Sequence, residues 1–172
     1  MAERLNTAQE SKVAEPVMDE AQRLREANDI VRNRVAWSVG VGLVPIPLVD
    51  MAGLMAMQLE MLARLARLYG VPFRRDLGKS LVASLVSSVI PALAAGPLAS
   101  MIKLIPIVGY TAGAVTMCAV GGASTYAVGK VFTKHFASGG TLLDFDPVAV
   151  KDEFAAHFQE GKAAAAEIKK GA

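Results

Sequence analysis

The chain has one cysteine, two histidines, one tryptophan and three tyrosines, and its 18 basic and 16 acidic residues nearly cancel to a net charge of +2. Each scarcity removes a class of protein. A lone Cys118 has no partner for an intramolecular disulfide, so a small disulfide-stapled fold is excluded. His135 and His157 have no second ligand three or four residues away, which leaves no zinc spacing. The near balance of charge, with its small basic excess lying beside apolar runs, leaves no continuous basic face for nucleic acid. The first 34 residues are charged throughout, so the pattern predicts no secretory signal peptide, which needs a basic tip followed at once by an apolar core.

Hydrophobic residues, by contrast, are abundant at 53%, with 15 glycines and a mean hydropathy of +0.38. Charge is unevenly spread. Residues 1–34 carry 6 Lys/Arg and 7 Asp/Glu, residues 35–143 carry 8 and 3, and residues 144–172 carry 4 and 6. Three regions follow: a charged helical arm over 1–34, a hydrophobic region over 35–137, and a C-terminal helix within 138–172. In the arm, Met18, Ala21, Leu24, Ala27, Ile30 and Val31 recur at three- and four-residue spacing and predict an amphipathic helix after Pro16 that continues through Val35.

The uncharged runs decide the expected class. Val35–Val49 has 15 residues, Ser80–Ile102 has 23 and Leu104–Gly129 has 26. A bilayer core of about 30 Å needs roughly 20 apolar residues in a helix, so the second and third runs are long enough to span and the first is not. Pro45 and Pro47 interrupt the first run and imply a turn, followed by a helix from about Leu48 to Tyr69 that Gly70 and Pro72 terminate. Asp50 falls in the first turn of that helix, and Glu60 and Arg64 form an i,i+4 pair. Lys103 and Pro106 mark a second turn. The expectation is an all-α membrane protein with two tandem proline-turned hairpins, flanked by cytoplasmic amphipathic helices, with Pro91 and Pro97 kinking one arm. Nine basic residues (Arg32, Arg34, Arg64, Arg67, Arg74, Arg75, Lys79, Lys130 and Lys134) fall on one side of the hairpins and Lys103 alone on the other. That bias predicts cytoplasmic termini in the bacterial cytoplasmic membrane, with Trp37 and Phe132 at one interface and Tyr110 near the distal turn.

After Ser138-Gly139-Gly140-Thr141, Asp146-Pro147 reads as a cap and first-turn proline, with Phe145 packing across it onto Val150. Val150, Phe154 and Phe158 then line one helix face. Such a face packs on the protein's own cytoplasmic part or docks a partner.

Catalytic signals fail on inspection. Gly78-Lys79-Ser80 resembles the end of a phosphate-binding loop, but Phe73 stands where that loop needs glycine and no strand precedes it. Asp144 and Asp146 lack the further ligands of a calcium loop, since Val148 takes the next position. No serine or cysteine has a base placed by a local motif, so the reading is non-enzymatic, with no cofactor and no metal. Gly109, Gly113, Gly121, Thr125 and Gly129 recur at four-residue steps, or multiples of four, with Met117 interrupting. They predict a close-packed helix face within or between chains, tightest at the central Gly121.

Gly42-Leu43-Val44-Pro45-Ile46-Pro47-Leu48-Val49-Asp50, Leu65-Ala66-Arg67-Leu68-Tyr69-Gly70-Val71, Lys103-Leu104-Ile105-Pro106-Ile107-Val108-Gly109 and Tyr126-Ala127-Val128-Gly129-Lys130 resemble the bacterial YcjF-like family of unknown function, over roughly residues 28–140. The resemblance implies a membrane-associated helical domain that occurs alone or attached to Era-like GTPase domains. It supplies no catalytic residues, and this chain carries no GTPase motif. The expected function is a self-associating membrane scaffold in contact with the lipid bilayer, a homo-oligomer that recruits a cytoplasmic partner such as a GTPase. The alternatives are a pore or carrier whose polar path uses Asp50 and Lys103, and a soluble helical oligomer that buries its hairpins.

Overall fold

The computed structural model describes residues 18–41, 47–95 and 109–170. These residues form five helices: α1 (Glu20–Val41), α2 (Pro47–Leu68), α3 (Arg75–Ala95), α4 (Gly109–Ala137) and α5 (Lys151–Lys170). Local chemistry accounts for their limits. Ala27, Val31 and Val35 of α1 are buried at four-residue steps while Arg25, Glu26, Asp29 and Arg32 stay exposed, the division an amphipathic helix requires. Pro47 opens α2, where its missing N–H costs nothing. At the other end Gly70 takes φ 69°, its N–H donating to the Arg67 carbonyl while that of Val71 donates to the Ala66 carbonyl at 2.7 Å. Gly139 closes α4 in the same way at φ 87°, with Gly139 N–H on the Phe136 carbonyl and Gly140 N–H on that of His135. Both are left-handed stops that a residue with a β-carbon would adopt only under strain. Before α5, the Asp146 carboxylate accepts the Val148 N–H at 2.8 Å, and a turn over 147–150 leads into the helix.

Helix α4 is the axis of the bundle, packing most extensively on α5 and α1 and less on α2. Side-chain pairings fix the directions. Asn28 and Val31 of α1 meet Lys130 and Gly129, and Glu153 and Gly161 of α5 meet Lys134 and Ala123, so both helices run antiparallel to α4. Leu54, Gln58 and Tyr69 of α2 meet Gly121, Thr125 and Phe136 in turn, so α2 runs parallel to it. The connections over 42–46 and 96–108 therefore leave from one end of the bundle, and the turns over 69–74 and 138–150 lie at the other. One core draws on all five helices, with Val31, Leu62, Leu65, Val82, Phe132, Phe154 and Phe158 all 1% exposed or less. Phe145 stacks on Phe132 with centroids 4.2 Å apart.

This architecture is all-helical, as the periodicity implies, but it corrects the expected membrane hairpins. Among the described residues no helix is long and apolar enough to cross a membrane. The long runs are uncharged without being strongly apolar, because 16 of the 29 residues of α4 are Gly, Ala, Ser or Thr. A helix of small residues free of charge is also what the centre of a bundle requires, since its neighbours bury it on several sides. Nor do α3 and α4 pair as a packed hairpin: α3 lies chiefly along α2, and α4 sits between α1 and α5. The amphipathic helices α1 and α5 supply core instead of flanking a spanning region. Helix α3 runs through Pro91 to Ala95 without interruption, and on it Ser87 and Ser88 turn their hydroxyls onto carbonyls of their own helix. Phe132, expected at a membrane interface, is fully buried.

Candidate functional site

The small-residue face of α4 is described from Gly121 onward. A β-carbon on Gly121 would lie 3.6 Å from Leu54, an ordinary contact, whereas one on Gly129 would lie 2.5 Å from Val31. Among the described members of the series the tightest approach is thus at its last residue, Gly129, not at the central Gly121. Thr125 is fully buried; its hydroxyl donates to the Gly121 carbonyl at 2.9 Å and accepts from Gln58 Nε2 at 3.4 Å. Gln58 also donates to Ser124 Oγ at 3.0 Å, which makes a buried polar tie between α2 and α4. Gly109 and Gly113 lie on the first turns of α4.

The other sequence candidates separate. Pro47 begins α2 and Asp50 lies in its first turn, while Pro45, Lys103 and Pro106 fall outside the described residues. Val150 is half-buried, and Phe154 and Phe158 are 0% and 1% exposed, so the face that could have served a partner is occupied by the chain's own core. His157 lies beside Glu153 and Glu160, and His135 Nε2 bonds the Thr141 carbonyl at 2.8 Å. Among the described residues no three His, Cys, Asp or Glu side chains gather as metal ligands do.

Two features stand out at opposite ends. At the end from which 42–46 and 96–108 depart, Trp37 of α1 is 66% exposed, and the connections carry Gly-Leu-Val-Pro-Ile and Gly-Pro-Leu-Ala-Ser-Met-Ile-Lys-Leu-Ile-Pro-Ile-Val. Large exposed aromatics with an indole N–H suit a boundary between apolar and aqueous surroundings. Toward the opposite end an open cleft of about 550 Å³ lies between α1, α4 and α5. Glu20, Leu24 and Asn28 form its α1 wall, Lys130, Thr133 and Lys134 its α4 wall, and His157 faces them from α5. Lys130 Nζ donates to Asn28 Oδ1 at 2.7 Å and stands 5.5 Å from the Tyr126 ring, while Lys134 pairs with Glu153 at 2.8 Å. Burial raises the Tyr126 hydroxyl above the usual phenol range, with Glu160 adding to it. Sequence reading missed this cleft because Asn28, Lys130 and His157 come from three helices and share no motif. Only the i,i+4 spacing of Lys130 and Lys134 hinted at one basic face.

A carboxylate network ties α1 to α2 on the outer surface. Glu60 accepts from Arg34 at 2.6 Å and from Arg64 at 2.9 Å. The hydrogen bond from Arg64, with Arg34 beside it, holds the Glu60 carboxyl below its ordinary range.

Comparison with known proteins adds a family. Residues 2–160 match the family described as Domain of unknown function (DUF697). The chain is similar to "Magnetosome membrane protein 22" of Magnetospirillum gryphiswaldense, at 38% identity over 157 residues, which cover 91% of this chain and 80% of that protein. No solved structure matches the chain.

Proposed function

This chain belongs to the DUF697 family, and from that premise we propose that it is a non-enzymatic helical scaffold held at a membrane by one end of its bundle. The observation that carries the reading is that the helix ends at Val41, Pro47 and Gly109, which the two apolar connecting sequences join to the chain, lie with exposed Trp37 at a single end of the bundle. An apolar end of this kind associates with lipid without any one helix crossing it, by the same gain from burying apolar area that drives interfacial helices onto a bilayer. The magnetosome membrane relative supports the same location. On this reading the polar end, with the N-terminus of α1 and the turns over 69–74 and 138–150, faces the cytoplasm of a bacterium from its cytoplasmic membrane. Self-association and recruitment of a partner such as a GTPase belong to the proposal as the scaffold's work.

Flotation of the full chain with vesicles of phosphatidylethanolamine and phosphatidylglycerol tests it. The protein should rise with the vesicles, and Trp37→Glu should reduce the floating fraction while leaving the helical signal and melting temperature unchanged. A chain that stays at the bottom of the gradient as a soluble oligomer with every vesicle composition overturns the membrane reading.

A further inference from the structure

We propose that the cleft between α1, α4 and α5 binds the phosphate group of a small soluble ligand. Its donors converge from separate helices. Lys130 and Lys134 stand one turn apart on the same face of α4, an arrangement that destabilises an isolated helix through like-charge repulsion. Glu153 compensates Lys134, which is itself 71% exposed, but Lys130 has no carboxylate within 4.0 Å among the described residues and rests against the neutral carbonyl of Asn28. A half-buried ammonium whose partners are the neutral amide carbonyl of Asn28 and the face of the Tyr126 ring keeps charge that an anion can neutralise. Thr133, between the lysines on the same wall, is 4% exposed, and its hydroxyl is buried with no hydrogen-bond partner among the described residues. An unpaired buried hydroxyl is a departure from the native norm that a bound ion beside it would account for. The amide nitrogen of Asn28 keeps two further donors, and His157 closes the cleft from α5. A tetrahedral phosphate, with several acceptor oxygens and up to two negative charges, matches this donor set.

Position selects the source of the phosphate. Asn28 precedes the end of α1 at Val41 by thirteen residues, about 20 Å of helix, so the cleft stands well away from the apolar end. A lipid headgroup gathered at that end does not reach it, whereas a soluble phosphorylated molecule does. The proposal stands whether or not the apolar end binds lipid. Among the described residues that line the cleft Glu20 is the one carboxylate, and it opposes an anion there, as do Glu153 and Glu160 behind Lys134 and His157.

Titration calorimetry of the full chain with inorganic phosphate and with pyrophosphate, at fixed salt, tests the site. Saturable binding of at least one is expected. Lys130→Gln should weaken it roughly tenfold or more, as loss of a charge-assisted bond requires. Glu20→Gln should tighten it, and Lys130→Arg, which keeps the charge, should bind if the glutamine variant fails to fold. Vesicles of phosphatidic acid against phosphatidylcholine separate the two sources. Absence of saturable binding to either anion overturns the proposal, as does binding that neither Lys130→Gln nor Glu20→Gln alters. Binding to phosphatidic acid vesicles with none to the free anions overturns the assignment to a soluble ligand.

Discussion

The two ends of this bundle are built from the same helices and invest in different interactions. Around Gly129 and Phe132 the chain joins large side chains to small ones: Val31 sits on Gly129, Phe145 stacks on Phe132, and the Ala123 backbone crosses Gly161. Charged pairs ring that half from outside, at Arg34–Glu60, Arg64–Glu60 and Lys134–Glu153. At the opposite end the connecting sequences carry one charge between them, Lys103, and Trp37 stays open. The contrast teaches that a single uncharged run can serve two purposes. The second half of α4 is free of carboxylates because it is enclosed by protein, whereas the sequence leading into its first half, Leu104-Ile105-Pro106-Ile107-Val108, is strongly apolar, and the membrane proposal draws on that stretch.

The largest losses belong to the enclosed half. Phe154→Ala removes a side chain with no exposure and should cost about 3 to 5 kcal/mol in chemical denaturation, against less than about 0.5 kcal/mol for Trp37→Ala. A partner-docking face would show the reverse for Phe154, with little loss of stability and loss of co-purifying protein.

Glycine substitutions sharpen the contrast. A β-carbon on Gly161 would lie 2.8 Å from the Ala123 Cα and 2.9 Å from its carbonyl oxygen, and backbone cannot step aside as a side chain can. Gly161→Ala should cost about 2 to 3 kcal/mol. Gly121→Ala, at 3.6 Å from Leu54, should be neutral or stabilising by up to about 1 kcal/mol through better helix propensity. Equal effects on the melting temperature would show that close packing does not set the two apart.

Gln58→Ala should cost about 2 kcal/mol, because it opens a cavity and strands Ser124 and Thr125 without their shared donor. Gln58→Leu should cost less, since it refills the space. Denaturation midpoints of the pair separate the polar tie from simple volume.

The smallest effect is electrostatic. Glu60 is held low by Arg64 and Arg34, so its contribution is present above the ordinary carboxylate value near 4.3 and is lost as pH falls through the lower folded value. Asp144, held low by the Thr141 hydroxyl and N–H, follows the same sign. Melting temperature should fall between pH 5 and pH 3, and Glu60→Gln should flatten that fall by no more than about 1 kcal/mol, because the group is half-exposed. A variant with the parent slope would assign the acid sensitivity elsewhere.

Periodicity and turn chemistry carried the outline of the fold. The spacing of Ala27 and Val31 marks the buried face of α1, Gly70 stops α2, and Val150, Phe154 and Phe158 do share a face. Leu24, read onto the apolar stripe of α1, is 45% exposed, because near the N-terminus of α1 the stripe is wider than the core that covers it. What stayed illegible depends on long-range partners. An uncharged stretch such as Gly109–Gly129 looks the same whether lipid or protein surrounds it, so that part of α4 alone could not tell a span from a bundle axis. The phosphate cleft was hidden for the same reason, since its walls are brought together only by α1 and α5 packing on α4.

Hydrogen–deuterium exchange on the full chain, with and without vesicles of phosphatidylethanolamine and phosphatidylglycerol, reads which end of the bundle meets lipid. Lipid should slow exchange in peptides covering 35–57 and 89–120 and leave those covering 121–136 and 151–162 unchanged. Protection that falls instead on 121–136 and 151–162, or none at all with vesicles shown to carry the protein, would contradict the division into an enclosed half and a lipid-facing end.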